Sequence, residues 1–270
     1  MQKDNDKIIL VADYGRSGQG WLSYMLCYIL NAKYIETYCL LRGLVFTDDE
    51  YVRNLTQGNI PGREKTKYSL IVKTHNHPDP FFSLTDKVIL LVRDPRDVAV
   101  SAYFRNRTIA KFGTDLNLEH QNKTVLRVKP RPLNSIKISL YYRLKEWLWA
   151  EKWTCLFLTA IKWRNFYASW EHVDLCYKVH YEDLLMDPKK TLSGILKYLD
   201  VEAEDGIIDE AVDKFAFEKL SGRKRGEEQR ENFSFRKGIS GDYKNNFNFL
   251  ELLIFNKVCR DIAKKWGYAL

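Results

Sequence analysis

Residues 14–21, YGRSGQGW, set three glycines, a serine and an arginine between the apolar run IILVA at 8–12 and a stretch in which Trp21, Leu22, Met25, Leu26 and Ile29 share one helical face. A loop of this kind at a helix N-terminus aims several backbone N–H groups at one point, where the helix dipole also favours negative charge. The chemistry it suits is holding a phosphate. Gly15 and Gly20 have the spacing of the two glycines of a Walker A loop, but Trp21 and Leu22 stand where its lysine and Ser/Thr belong. The lysine for a γ-phosphate and the hydroxyl for a magnesium ion are both missing. The same glycines suit a plain turn joining strand to helix, and this stretch alone leaves both readings open.

The elements around the loop are readable from period and punctuation. Ile8–Ala12 is a buried strand, Tyr68–Lys73 (YSLIVK) a second and Lys87–Val92 (KVILLV) a third, the last as apolar as a parallel strand covered on both faces must be. THNHPDP after the second strand is a loop, because Pro78 and Pro80 forbid regular pairing. Asp94 is the expected N-cap of a helix with Pro95 first and Val98, Ala99 and Ala102 continuing it. Residues 32–67 read as mixed and loop-rich, with Arg63, Lys65 and Lys67 in a solvated loop, and 110–131 as an irregular excursion. Aromatics at helical spacing fill 135–171 and read as core. Leu175–His180 is a short strand. Asp187 and Pro188 then cap a helix carrying Leu192, Ile195, Leu196 and Leu199 on one face. One helix is expected over 206–220, a glycine-rich charged segment over 221–248, and a last amphipathic helix over 249–266. Strands alternating with helices predict an α/β fold with a central parallel sheet flanked by helices.

With 270 residues and 45% hydrophobic content, one large domain spanning 1–270 is expected. The net charge of +8 suits anionic ligands. Five scattered cysteines without a CxxC pair argue against a disulfide framework or a zinc site. MQKDNDK runs directly into a strand without a signal-peptide pattern, and no apolar run approaches the roughly 18 residues that span a bilayer. The expectation is a cytoplasmic protein with no membrane partner.

Four separated elements ask for one explanation: the loop at 14–21, KTH at 73–75, RDPRDVAVS at 93–101 and RKGISGDYKNNF at 236–247. In this order they resemble the PAPS-dependent sulfotransferases, the cytosolic type in particular, and the resemblance runs through most of the chain. It implies the P-loop-NTPase-like sulfotransferase fold and the co-substrate 3′-phosphoadenosine 5′-phosphosulfate (PAPS), with PAP as product and no metal. It assigns the 5′-phosphate to Arg16, Ser17, Gly18, Gln19, Gly20 and Trp21. The 3′-phosphate falls to Arg93, Ser101, Arg236, Lys237 and Gly238, where guanidinium forks and a hydroxyl suit a dianion. Tyr181 in HYEDLL and Phe217 match aromatics near the adenine, although Phe215 and Ala216 stand where a hydroxyl-bearing residue is expected.

Sulfuryl transfer needs a base for the acceptor proton and positive charge at the departing oxygen. His75 is the expected base, with His77 behind it, and Lys73 the expected cation. The family's usual loop is PKSGTTW. Here Gly15 replaces the proline, Arg16 the lysine, and Gln19 and Gly20 the two threonines. Arg16 keeps the charge but donates no proton at neutral pH, and the lost hydroxyls shift the 5′-phosphate onto backbone amides, Gln19 and Lys73. Lys244 is followed by Asn248 and Phe249 in place of the Thr and Val of the family's short dimer motif, which leaves the oligomeric state open.

The expected activity is sulfonate transfer from PAPS to a hydroxyl or amine of a small-molecule acceptor. The competing readings are a P-loop-type kinase, which needs Mg²⁺, and a non-catalytic nucleotide or nucleic-acid binding protein using the +8 charge. No clustered basic helix or RNA-binding aromatic pattern supports a nucleic-acid partner. Taken alone, Arg93 also suits a simple pairing with Asp94 or Asp97, and RKG a solvated loop.

Overall fold

The computed structural model describes residues 7–36, 60, 62–78, 84–112, 151–228 and 235–270. Their elements, in chain order, are β1 (Lys7–Ala12), α1 (Gln19–Leu30), β2 (Lys33–Glu36), β3 (Tyr68–Thr74), β4 (Lys87–Val92), α2 (Pro95–Phe112), α3 (Lys152–Trp170), β5 (Cys176–His180), α4 (Tyr181–Met186), α5 (Pro188–Tyr198), α6 (Asp205–Lys214), α7 (Phe217–Ser221), a 3₁₀ turn (Asp242–Asn245) and α8 (Phe249–Lys265). They fall into two compact units. One holds the described residues up to Arg93 with Asn165–Arg223, and the other Asp94–Arg164 with Lys224–Leu270.

The first unit carries a five-stranded sheet in the order β2-β3-β1-β4-β5, every neighbouring pair parallel. Side chains alternate between the faces of a strand. Ile9 and Val11 of β1, Ile71 of β3, Ile89 and Leu91 of β4 and Val179 of β5 thus share one face, where they form a buried cluster with Leu22, Met25 and Leu26 of α1 and Leu192, Ile195 and Leu196 of α5. Each such side chain, fully withdrawn from water, contributes about 2 kcal/mol. Strand order reverses at β1, with β3 on one side and β4 on the other. In open α/β sheets the carboxyl end of such a strand is where ligands bind.

Several expectations are met through the local chemistry that motivated them. Asp187 accepts a hydrogen bond from Lys190 N at 2.9 Å with Pro188 opening α5. Asp94 accepts from Arg96 N at 2.9 Å at the start of α2. In α3, Trp163, Phe166, Tyr167 and Trp170 are buried, as an aromatic core requires.

Other expectations are corrected. The 32–67 stretch contains β2, which pairs with β3 from Lys33 opposite Leu70 to Glu36 opposite Lys73. Arg63 is no solvated charge: its Nη1 donates to Tyr28 O at 2.7 Å, its Nη2 pairs with Glu210 at 2.8 Å, and its guanidinium lies 3.9 Å from the Tyr28 ring centroid. Residues 110–112 continue α2, and the remainder of the excursion, with the start of the aromatic segment up to residue 150, lies outside the described residues. The helix expected over 206–220 is two, because Phe215 and Phe217 are both buried and Ala216 turns extended (φ −54°, ψ 143°) between them. The last helix begins with a reciprocal capping box between Asn248 and Glu251. Among the described residues no helix is long and apolar enough to cross a membrane.

Candidate active site

The loop between β1 and α1 is shaped by three residues in the left-handed region, Gly15 (φ 102°), Arg16 (φ 61°) and Gly18 (φ 92°). Such a run curls successive N–H groups into a concave anion nest. Proline is locked near φ −65°, so Gly15 makes an entry turn that the family's proline does not allow. Gly18 caps α1 with no side-chain hydrogen bond, and no acid stands in the first turn. The start of the helix therefore offers its amides to an anion. Gly18 is required twice over, because a Cβ there would also sit 2.7 Å from Tyr181 Cδ2.

The side chains of the loop mostly secure it to the sheet. Gln19 is buried, and its Nε2 donates to Val11 O and, at 3.2 Å, to Thr74 O, joining the ends of β1 and β3. This differs from the expectation that the Gln19 side chain faces the phosphate: two strand-end carbonyls in a dry place need a donor, and Gln19 supplies it. Ser17 is buried with its hydroxyl 3.5 Å from Gly15 O, and Ser17 N donates to Asp13 Oδ2 at 3.3 Å. Trp21 Nε1 donates to Phe215 O at 2.8 Å, and its ring meets Tyr181 edge-on. Arg93, at the end of β4, donates from Nη1 to Arg16 O at 2.9 Å and lies 4.2 Å over the Tyr181 ring. Tyr181 is thus a packing floor for Gly18, Trp21 and Arg93, and Phe217 lies buried just beyond Phe215 with the Arg223 guanidinium 5.8 Å from its ring.

At the end of β3, Lys73 stands in register with Val11, and His75 follows two residues on. His75 Nδ1 lies 2.6 Å from Asp13 Oδ1 and 3.1 Å from Asp13 O, while the ring is nearly half exposed. Burial is the largest influence on its titration and lowers it. The charge and hydrogen bond of Asp13 outweigh that and the repulsion from Lys73, leaving the imidazole pKa raised. His77 is engaged elsewhere, with Nδ1 2.7 Å from Ser169 Oγ and its ring against Phe166. Tyr167 donates to Leu91 O at 2.7 Å behind the loop, and burial above all holds its hydroxyl well above the usual tyrosine range. Sequence reasoning passed over Asp13. Its one signal was an acid between a buried strand and a glycine loop, where the surroundings are apolar.

Ser101, Arg236, Lys237 and Gly238 belong to the second unit. Ser101 is buried on α2. Arg236 pairs with the buried Asp242 at 2.5 Å and Glu228 at 3.5 Å, Lys237 reaches Asp242 at 3.1 Å, and Gly238 takes φ 64°. Burial pushes the Asp242 carboxyl up, but Arg236, Asn245 and Lys237 together hold it below its ordinary value. Asp97, fully buried, accepts from Gly241 N at 2.6 Å and Tyr243 N at 2.9 Å. The RKG segment is therefore an ordered turn rather than a solvated loop.

The chain is similar to known proteins in sequence and in fold. The chain is 25% identical over 284 residues to 3-alpha-hydroxysteroid sulfotransferase of Cavia porcellus, covering 98% of this chain and 85% of that one. To Homo sapiens sulfotransferase 2A1 it is 24% identical over 283 residues, covering 96% and 84%. Its fold is similar to that of mouse sulfotransferase SULT7A1 complexed with PAP (TM-score 0.54, 18% identity, 96% and 85% covered). It is also similar to retinol dehydratase in complex with androsterone and the inactive cofactor PAP (TM-score 0.52, 17% identity, 97% and 82% covered). The sulfotransferase domain model matches residues 5–267, and the chain belongs to that family.

Proposed function

We propose that this chain is a single-domain PAPS-dependent sulfotransferase acting on a hydroxyl, or an amine, of a small-molecule acceptor, with His75 as general base. The observation that carries the reading is the nest at 15–18, opening α1 without a side-chain cap and with His75 held against its entrance. A nest of amides suits a singly esterified 5′-phosphate and asks for neither the Walker lysine nor its hydroxyl. PAP in solved relatives, and hydroxysteroid and retinol in relatives' names, support the donor and an apolar hydroxyl acceptor.

The donor supplies an activated sulfonate. Within that reading the amides of Arg16–Trp21 hold the 5′-phosphate, and Arg16 and Lys73 carry positive charge to the departing oxygen. Arg93, Ser101, Arg236, Lys237 and Gly238 take the 3′-phosphate, and Tyr181 and Phe217 border the adenine. His75 accepts the acceptor's proton. The test is transfer of ³⁵S from labelled PAPS, in EDTA, to a panel of alcohols, phenols and amines that includes 3-hydroxysteroids. Label in at least one acceptor, lost with His75→Ala, is expected. Transfer from ATP in magnesium with none from PAPS would contradict the proposal in favour of a kinase.

A further inference from the structure

The buried Asp13 carboxylate is costly unless something charged or polar answers it. Its N–H donates to Thr74 O at 3.3 Å, fixing the residue between β1 and β3. Of its two oxygens, Oδ2 accepts from Ser17 N at 3.3 Å, and Oδ1, with no donor hydrogen aligned on it, lies 2.6 Å from His75 Nδ1 as an ion-pair contact. Asp13 O also lies 3.1 Å from the same nitrogen. A carbonyl oxygen and a carboxylate oxygen only accept, so Nδ1 must carry a proton. The lone pair of the neutral ring then belongs to Nε2, on the opposite side of a half-exposed side chain.

From this geometry we infer that Asp13 is the positioning residue of an Asp13–His75 pair, its carbonyl taking Nδ1–H while its carboxylate lies against the same nitrogen, which leaves Nε2 as the proton-accepting atom. The inference rests on His75 being the base. As the acceptor oxygen forms its bond to sulfur, its proton passes to Nε2, and the electron pair of the breaking S–O bond leaves on the nucleotide. Asp13 stays ionised and balances the imidazolium. Two further groups face the pair: Lys73 from β3, which opposes the imidazolium, and Tyr167 from α3, whose hydroxyl stays protonated. This division of roles has the logic of a hydrolase triad, in which the carboxylate stabilises the imidazolium without taking the proton.

Asp13→Asn separates positioning from mere structure. The amide oxygen keeps the bond from Ser17 N and the backbone carbonyl still takes Nδ1–H, so the substitution removes the charge that balances the imidazolium while the tautomer is kept. In ¹⁵N-histidine NMR spectra the neutral wild-type ring is expected to be protonated at Nδ1 and to titrate above about 6.5. In Asp13→Asn it should titrate below that value, with Nδ1 still protonated. Turnover should fall about a hundredfold or more, with PAP affinity within about threefold. In a His75→Ala background the same change should cost nothing further.

A wild-type ring protonated at Nε2 would overturn the pair whether or not the variant folds. An unchanged ring titration in Asp13→Asn would overturn it as well. A fully active Asp13→Asn beside an inactive His75→Ala would overturn the positioning role alone, whereas an active His75→Ala would remove the base reading on which it rests.

Discussion

The glycine loop at 14–21 and the RKG segment at 236–247 are both suited to anions, yet they are built in opposite ways. The loop does its work with backbone: left-handed residues, an uncapped helix start, and side chains such as Gln19 turned into the sheet. The RKG segment offers side-chain charge instead, and that charge is held in place by acids, Arg236 and Lys237 both converging on Asp242. A backbone site is sensitive to a single added carbon. A charge site is sensitive to the loss of a counter-ion and to pH.

The sharpest break of this contrast is functional. His75→Ala should lower turnover about a thousandfold while leaving PAP affinity within about threefold, measured by single-turnover transfer and calorimetry. Next, Asp242→Ala should cost about 4 kcal/mol in denaturant unfolding, because it removes the shorter of two ion pairs of the buried Arg236 guanidinium, 2.5 Å against 3.5 Å to Glu228, together with that of Lys237. Gly18→Ala should cost about 3 kcal/mol, part from φ 92° and part from the 2.7 Å approach to Tyr181. Gly18→Ala with Tyr181→Leu would divide the two: relief of the contact, with the dihedral penalty remaining. The smallest effect is expected for Arg16→Lys. It restores the family residue without changing charge and should move PAP affinity by no more than about threefold.

The two regions should also respond to pH at opposite ends. Asp242 is held below its ordinary pKa, so its contribution to stability is complete above about pH 4 and is lost as pH falls through its folded value. His75 is held above its ordinary value, so its contribution is complete below about pH 6.5 and is lost as pH rises through its folded value. Unfolding curves of Asp242→Asn and His75→Ala against wild type should therefore converge with it at acid and at neutral-to-alkaline pH, respectively. The base needs the neutral ring, so the acid limb of kcat/KM should lie above about 6.5 in the wild type.

Much of this was legible in the sequence where the governing interaction is local. Asp187 and Pro188 announced α5, KVILLV announced a central strand, and Trp163, Phe166, Tyr167 and Trp170 announced a core face at helical spacing. What stayed hidden depends on distant partners. Asp13 and His75 meet across 62 positions, and no local rule distinguishes that acid from a turn residue. Gln19 reads as a ligand in the loop until two carbonyls from different strands claim its amide. Arg63 reads as solvated until Tyr28 and Glu210 surround it. The break at Ala216 is invisible because the apolar period runs through it, and only the burial of both Phe215, at the cap that ends α6, and Phe217, which opens α7, requires the turn.

The most direct test of the central claim is calorimetric titration of the wild-type chain with PAP, 3′-AMP, ADP and ATP, each in EDTA and again in magnesium. The account predicts that PAP binds most tightly, unaffected by magnesium, with ADP weaker for want of the 3′-phosphate. Preferential binding of ATP, dependent on magnesium, would contradict it.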